Sequence, residues 1–185
     1  MRVTLMTDEQ LLKSCLEGDK DKFKEIVDKY RSRVTGFAIN ILGNREDAED
    51  ACQETFINVF QNLDKFDFDR NFKDWLFTIL YNRCIDKVRK RNRFYNFYNK
   101  KKVEYNSHHN SNHTMNPESK LPLSDNLLRR LTPKERTAIY LWAYEGYTSD
   151  ELGAVLKCSS STARVHIFKA RKKIKKILEN GHDTL

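Results

Sequence analysis

The densest chemistry in this sequence is cationic. Between positions 83 and 93 stand six cations, Arg83, Lys87, Arg89, Lys90, Arg91 and Arg93, against one carboxylate, Asp86. A second basic set begins at Arg164 and runs through His166, Lys169, Arg171, Lys172, Lys173, Lys175 and Lys176. Guanidinium and ammonium groups in such rows neutralise the phosphates of a polyanion. In the second set the spacing says more. Leu152 and Leu156 lie one helical turn apart, Gly153 permits close approach of a partner helix, and Lys157-Cys158-Ser159 makes a turn. A following helix capped by Ser159 or Ser160 would bury Ala163, Ile167 and Ala170 and expose Ser161, Arg164, His166 and Lys169. That outward set suits a helix lying in a major groove, its first residues at base edges and its later cations at phosphates. The bland alternative is a helical hairpin with a solvated basic face. A third set is acidic: Glu46, Asp47, Glu49, Asp50 and Glu54 lie largely off the apolar face of their helix.

Residues for covalent or metal chemistry do not assemble. There is no Walker loop, no H-E-x-x-H, no nucleophile elbow and no Glu-x-x-His pair. Cys15, Cys52, Cys84 and Cys158 are scattered, without a C-x-x-C, so neither a zinc module nor a disulfide framework is expected and each reads as a small hydrophobe in a reducing cytoplasm. His108, His109 and His113 cluster without a carboxylate or thiol to complete a ligand set, and read as surface polar residues.

The elements that must position these groups are helices. The chain has 185 residues, 39% apolar and 32% charged, with 6 Gly and 3 Pro, a composition that favours helix and supplies enough apolar surface for two small cores. Thr7-Asp8-Glu9-Gln10 is a capping box, and Gly18 ends the short helix it opens. Phe23, Ile26, Val27, Tyr30, Val34, Phe37, Ala38 and Ile41 hold a helical period up to Gly43. Asn44 caps a third helix, with Ala48, Ala51, Cys52, Phe56, Val59, Phe60 and Leu63 inward, and a fourth starts near Asn71. Thr132-Pro133-Lys134-Glu135 and Thr148-Ser149-Asp150-Glu151 are further start signals. Leu123, Leu127, Leu128 and Leu131 also fall at helical spacing. Nothing alternates as a strand. The expected fold is all-α: two small helical domains joined by a flexible linker, the second ending in a helix-turn-helix.

Charge divides along the same lines. The net charge of +8 splits into −4 over residues 1–64, +7 over 65–105, −1 over 106–125 and +6 over 126–185. Two basic blocks about a neutral spacer suggest two contacts on one polyanion, and the acidic front a different, basic partner. Residues 106–120 hold one Met and no other large apolar side chain, too little to offset the entropy of ordering them. A linker over 96–125 could span roughly 100 Å fully extended, which sets domains at 1–95 and 126–185. The first residues have no apolar signal core, and no run approaches the roughly 20 apolar residues of a membrane span.

Four segments together resemble the extracytoplasmic-function (group 4) sigma factors of the bacterial sigma-70 family. Asp47 to Phe56 (DAEDACQETF) resembles the family's polymerase-binding helix, and Phe72 to Lys90 (FKDWLFTILYNRCIDKVRK) its −10 element reader. Leu131 to Arg136 (LTPKER) is similar to the start of its second domain, and Gly146 to Arg171 to its −35 helix-turn-helix. The likeness runs over 8–95 and 123–178. It departs at Lys157 and Ser161, where the family usually has Gly, and at His166, where Arg is frequent.

The resemblance implies a non-enzymatic, cytoplasmic initiation factor without cofactor or metal, the phosphodiester chemistry belonging to the polymerase. It implies docking on the β′ clamp helices and β subunit of core RNA polymerase through Asp47, Asp50, Gln53 and Glu54. It places −10 DNA on Phe66, Phe68, Asp69 and Asn71, as a pocket for an unstacked base, and on Asn82, Arg83, Asp86, Lys87, Lys90 and Arg91 beside it. It places −35 duplex DNA on Ser160, Ser161, Thr162, Arg164, His166, Lys169, Arg171 and Lys173. The linker would thread through the polymerase's RNA-exit region. An anti-sigma partner is implied as well, with no direct membrane insertion of this chain. The competing reading is a stand-alone helix-turn-helix regulator acting without incorporation into polymerase.

Overall fold

The computed structural model describes residues 6–105 and 130–182, and among them every regular element is helical. The order is α1 (Asp8–Leu16), α2 (Lys22–Leu42), α3 (Arg45–Gln61), a 3-10 turn (Leu63–Lys65), α4 (Phe72–Tyr105), α5 (Pro133–Ala143), α6 (Ser149–Leu156) and α7 (Ser160–His182). Each boundary has a local cause. Thr7, Thr132 and Thr148 each accept from the third helical N–H, while Gln10, Glu135 and Glu151 reach back to the cap N–H, so three capping boxes start α1, α5 and α6. Asn44 caps α3 through the Asp47 N–H. Gly43 stops α2 at φ +66°, a left-handed conformation that glycine adopts without a Cβ clash.

Helices α1 to α4 form one bundle, with α2 packed on α1, α3 and α4, and α5 to α7 form a second. Leu12, Ile26, Val34, Phe37, Ile41, Val59, Leu76, Phe77 and Leu80 fill the first core. Burying each such side chain contributes about 1.5–3 kcal/mol relative to exposure. Leu141, Leu152, Val155, Leu156, Ala163 and Ile167 fill the second.

Helix α4 continues to Tyr105, into the segment expected as linker, because residues 96–105 contain no Gly or Pro to stop it. The remainder of the expected linker, with His108, His109 and His113, and the Leu123-Leu127-Leu128 repeat lie outside the described residues.

The two cores are also continuous rather than separate. Helix α5 lies on α2 and α6 on α4. Phe37 meets Tyr140 edge-on at 5.5 Å between ring centres, and Phe77 meets Tyr147 at 6.2 Å. Arg33 holds Glu145 in a two-toothed ion pair, Nε to Oε1 at 3.1 Å, and Lys73 Nζ donates to the Glu145 carbonyl at 3.2 Å. Arg136 donates to the Ile41 carbonyl at 3.2 Å, bonding the start of α5 to the end of α2. The Tyr140 ring passes over Gly36, where any Cβ would stand 2.8 Å from its hydroxyl. These contacts join residues between 70 and 112 positions apart in the chain.

Candidate functional site

Three surfaces carry the chemistry. The first is a groove of about 740 Å³ between α3 and the middle of α4, lined by Asp47, Asp50 and Glu54 from one wall and Arg83, Asp86, Lys87, Lys90, Arg91, Arg93 and Phe94 from the other. Opposite charges meet across it. Lys87 Nζ lies 3.6 Å from Asp50 and 3.4 Å from Glu54, and Arg91 lies 3.9 Å from Asp47 while also donating to the Leu42 carbonyl at 3.1 Å. These pairs are open to water and worth about 0–1 kcal/mol each, so a stronger partner on either side can replace them. Gln53 is exposed beside the acidic wall. Asn82 and Arg83 are half-buried.

The second is the loop before α4. Asp69 and Asn71 are exposed, and Asn71 caps α4 by accepting from the Lys73 N–H at 2.9 Å. Phe66 does not stand on this surface: it is only 7% exposed, packed among Phe68, Phe72 and Trp75 with ring centres 4.9–5.8 Å away. Flanking charges suggested an outward ring, but the 3-10 turn Leu63–Lys65 rotates Phe66 inward while Lys65 and Asp67 stay in solvent. Phe68 is half-buried, with Lys13 Nζ 5.4 Å from its ring centre.

The third is the outer face of α7. Ser159 caps the helix by accepting from Thr162 N–H at 3.2 Å, which resolves the choice between Ser159 and Ser160. Ala163, Ile167 and Ala170 are buried, while Ser161, Thr162, Arg164, Lys169 and Arg171 are exposed. Ser160 and His166 are half-buried. Burial, then the neighbouring Lys134, holds the His166 pKa below the ordinary histidine value. Lys173 is half-buried, its side chain still 41% exposed and its Nζ 2.7 Å from buried Glu135. Burial works to raise the Glu135 pKa, but Lys173 and the Thr132 cap outweigh it and leave it below the usual carboxylate value.

The turn before α7 explains two of the sequence features. A Cβ on Gly153 would lie 2.7 Å from the Cys158 carbonyl oxygen, so only glycine lets the α6–α7 turn fold over this point. Lys157 has φ +52° and ψ +53°, the left-handed conformation for which glycine is the usual residue.

Cys15, Cys52 and Cys84 are buried and Cys158 is half-buried; all four are free thiols, and burial raises the pKa of the first three. Among the described residues no group of three or more His, Cys, Asp or Glu could hold a metal ion, and no helix is long and apolar enough to cross a membrane.

Comparison with known proteins decides between the two readings of these surfaces. Residues 26–94 match Sigma-70 region 2, and residues 125–174 match Sigma-70, region 4. The ECF RNA polymerase sigma factor SigW of Bacillus subtilis is 30% identical over 180 residues, covering 91% of this chain and 95% of SigW. The chain belongs to the ECF sigma factors. The RNA polymerase sigma-H factor of Pseudomonas aeruginosa is 27% identical over 96% of both chains. Among solved structures, CnrH in complex with the cytosolic domain of CnrY has a TM-score of 0.68 at 25% identity, covering 94% of this chain and 97% of that one. The sigma factor RpoE bound to the anti-sigma factor NepR, from Bartonella quintana, has a TM-score of 0.66 at 26% identity, covering 85% and 96%. The protein is thus an RNA polymerase sigma factor acting in transcription initiation, and the stand-alone regulator is set aside.

Within this sigma factor, the residues that sequence reasoning missed are those between the domains. Asp74 and Tyr147 face each other across the α4–α6 contact. Asp74 Oδ1 and the Tyr147 hydroxyl are both buried and outside good hydrogen-bonding geometry, although each bears on the other's titration. Burial, the larger cause, pushes the Asp74 carboxyl above its usual value, and Tyr147 is raised by burial and then by Asp74. Glu145 is 3% exposed at its side chain. No local signal marks these residues, since their partners are distant in sequence.

Proposed function

We propose that the three surfaces divide the work of initiation as follows. The acidic wall of α3, Asp47, Asp50, Gln53 and Glu54, docks on basic residues of core polymerase, the β′ clamp helices being the family's site and the β subunit a second contact. The loop at Phe68, Asp69 and Asn71, with the α4 face at Asn82, Arg83, Asp86, Lys87, Lys90 and Arg91, takes the −10 element. A protein opens DNA without catalysis by making the separated strand more favourable than the duplex, through base capture and cationic contacts to the backbone. With Phe66 in the core, the loop's capture surface rests on Asp69, Asn71 and the exposed edge of Phe68. Helix α7 takes the −35 duplex through Ser160, Ser161, Thr162, Arg164, His166, Lys169 and Arg171, while Lys173 serves the fold through Glu135.

The observation that carries this reading is the two-sided form of α7. Its inner face is sealed by Ala163, Ile167 and Ala170, and its outer face presents small polar residues first and cations after. That order matches a helix whose N-terminal turn reads bases and whose later turns hold phosphate. The sigma factor then needs no active site of its own and works in the cytoplasm, where polymerase and promoter are.

The compact packing of the two domains bears on regulation. The solved structures it resembles over most of its length are complexes, one of CnrH with the cytosolic domain of CnrY and one of the sigma factor RpoE with the anti-sigma factor NepR. An anti-sigma partner that keeps α5 and α6 against α2 and α4 would withhold the −35 reader from its place along the DNA.

In vitro transcription with core enzyme on genomic fragments, with and without the protein, tests the reading. Protein-dependent start sites are expected. Asp47→Lys with Asp50→Lys should lose affinity for core enzyme, and wild-type affinity in that variant would refute the docking face.

A further inference from the structure

The outer face of α7 is not purely polar. Val165 is 46% exposed and Phe168 65% exposed, and both stand among its cations. Their register places them at its centre. Ser161, Val165, Phe168 and Lys172 stand at i, i+4, i+7 and i+11, one stripe along the helix, and all four are exposed. Each residue of the sealed side, Ala163, Ile167 and Ala170, is two positions from a member of the stripe and so just over half a turn away. Arg164 and Lys169 flank the stripe, one on either side. Covering Val165 and Phe168 would be favourable, and packing within the chain leaves them in water.

Their neighbours narrow what could cover them. Arg164, Lys169 and Lys172 call for a polyanion around the stripe. The major groove of a duplex has that form, with phosphates on both walls and base edges on the floor between them. One base edge there carries an apolar group, the C5-methyl of thymine. Guanine, cytosine and adenine offer donors and acceptors, which the side chains of Val165 and Phe168 cannot engage. Three residues of helix separate the two by roughly 4.5 Å along the axis, little more than the base-pair step of about 3.4 Å. They therefore reach one pair or two neighbouring ones.

We propose that Val165 and Phe168 seat thymine methyl groups of the −35 duplex, so that the centre of α7 selects T·A pairs by apolar contact. The proposal rests on the assignment of α7 to −35 DNA and names the base that its central stripe reads. Ser161 ahead of the pair is left for hydrogen bonds to base edges, and Arg164, Lys169 and Lys172 for phosphate.

Deoxyuridine tests this, because uracil keeps the pairing and the O4 acceptor of thymine and lacks only the methyl. Holoenzyme assembled from the full chain and core polymerase is titrated, by fluorescence anisotropy, with a duplex promoter whose transcription depends on the protein. Each thymidine of its −35 element is replaced in turn. At one position or two neighbouring ones the affinity should fall about fourfold, the effect of uncovering one methyl group. Deoxyuridine in the spacer should change nothing. Val165→Ala with Phe168→Ala should bind the thymidine and deoxyuridine duplexes equally, whereas Val165→Ile should still prefer thymidine. The wild-type comparison needs no substitution, so it stands whether or not a variant folds. Equal binding of all the duplexes by wild type would overturn the proposal. So would a −35 element without thymine, or a deoxyuridine effect undiminished in the double Ala variant. Loss of core-enzyme binding in that variant, with no thymidine preference in wild type, would assign the two side chains to a protein partner and overturn it equally. Failure of the −35 assignment itself is seen separately: Arg164→Ala with Lys169→Ala would then keep wild-type affinity for the unmodified promoter.

Discussion

Gly153→Ala tests the helix-turn-helix most directly, because local and tertiary physics give opposite signs. On an isolated helix the change would stabilise by about 0.8–1 kcal/mol, the helix propensity difference between the two residues. In this structure the new Cβ would sit 2.7 Å from the Cys158 carbonyl oxygen and 3.4 Å from both Ser159 C and Ser160 N. All three are backbone atoms and cannot swing aside. Nor can the turn lift freely, since Cys158 N–H donates to the Gly153 carbonyl at 2.9 Å and ties the loop to the same residue. Overpacking of this kind costs about 1–3 kcal/mol, and stretching that bond forfeits about 1 kcal/mol more. Against the propensity gain, a net loss of about 1–3 kcal/mol is expected. Exposed Ala154, one position on, is the control: Ala154→Gly should lose about 1 kcal/mol through propensity alone. Urea unfolding of the full chain in a Trp75→Phe background, where Trp142 is the one tryptophan left, reads the second domain by its emission, since Trp142 lies against Arg171 of α7 at 5.4 Å. Binding to a −35 duplex reads the displaced recognition helix. A Gly153→Ala protein as stable as wild type, with unchanged duplex affinity, would refute the close-approach argument.

Other outcomes follow from single residues. Lys157→Gly should stabilise by about 0.5–1 kcal/mol, because relief of left-handed strain of about 1–2 kcal/mol exceeds the added entropy of glycine in the unfolded chain; the urea midpoint measures it. Glu135→Ala removes the α5 capping box and the Lys173 pair and should destabilise by about 2–4 kcal/mol, whereas Glu135→Gln keeps the cap and loses less. The lowered Glu135 pKa gives stability that is full above the ordinary Glu value and fades as pH falls through the lower folded value, so Glu135→Gln should flatten that acid limb in pH-dependent melting. Asp74 has the opposite sign. Its raised folded pKa means that the folded state keeps the proton, so stability declines as pH rises from the ordinary Asp value through the raised one, and Asp74→Asn should remove that decline. Arg164→Ala should weaken −35 discrimination by roughly 1–3 kcal/mol if it reads a base, or weaken binding evenly if it meets phosphate, as competition with mismatched duplexes would show.

Sequence alone determined the helices, their starts and the inner face of α7, because caps, glycine stops and 3.6-residue periodicity are short-range and act within a few residues. Thr7, Asn44, Thr132 and Thr148 each cap the helix that their sequence context indicated. Gly153 was legible too, as a small residue where two helices must approach. Phe66 was not, because a three-residue 3-10 turn sets which way a loop ring points and leaves no periodic trace. Nor was the pairing of Lys173 with Glu135, which spans 38 positions of the chain. Only the tertiary structure decided that the two helical units share a continuous core and that Arg33 meets Glu145. Burial patterns show that a face is covered but carry no label for what covers it. The partner is chosen by shape and charge between surfaces that the chain brings together from a distance.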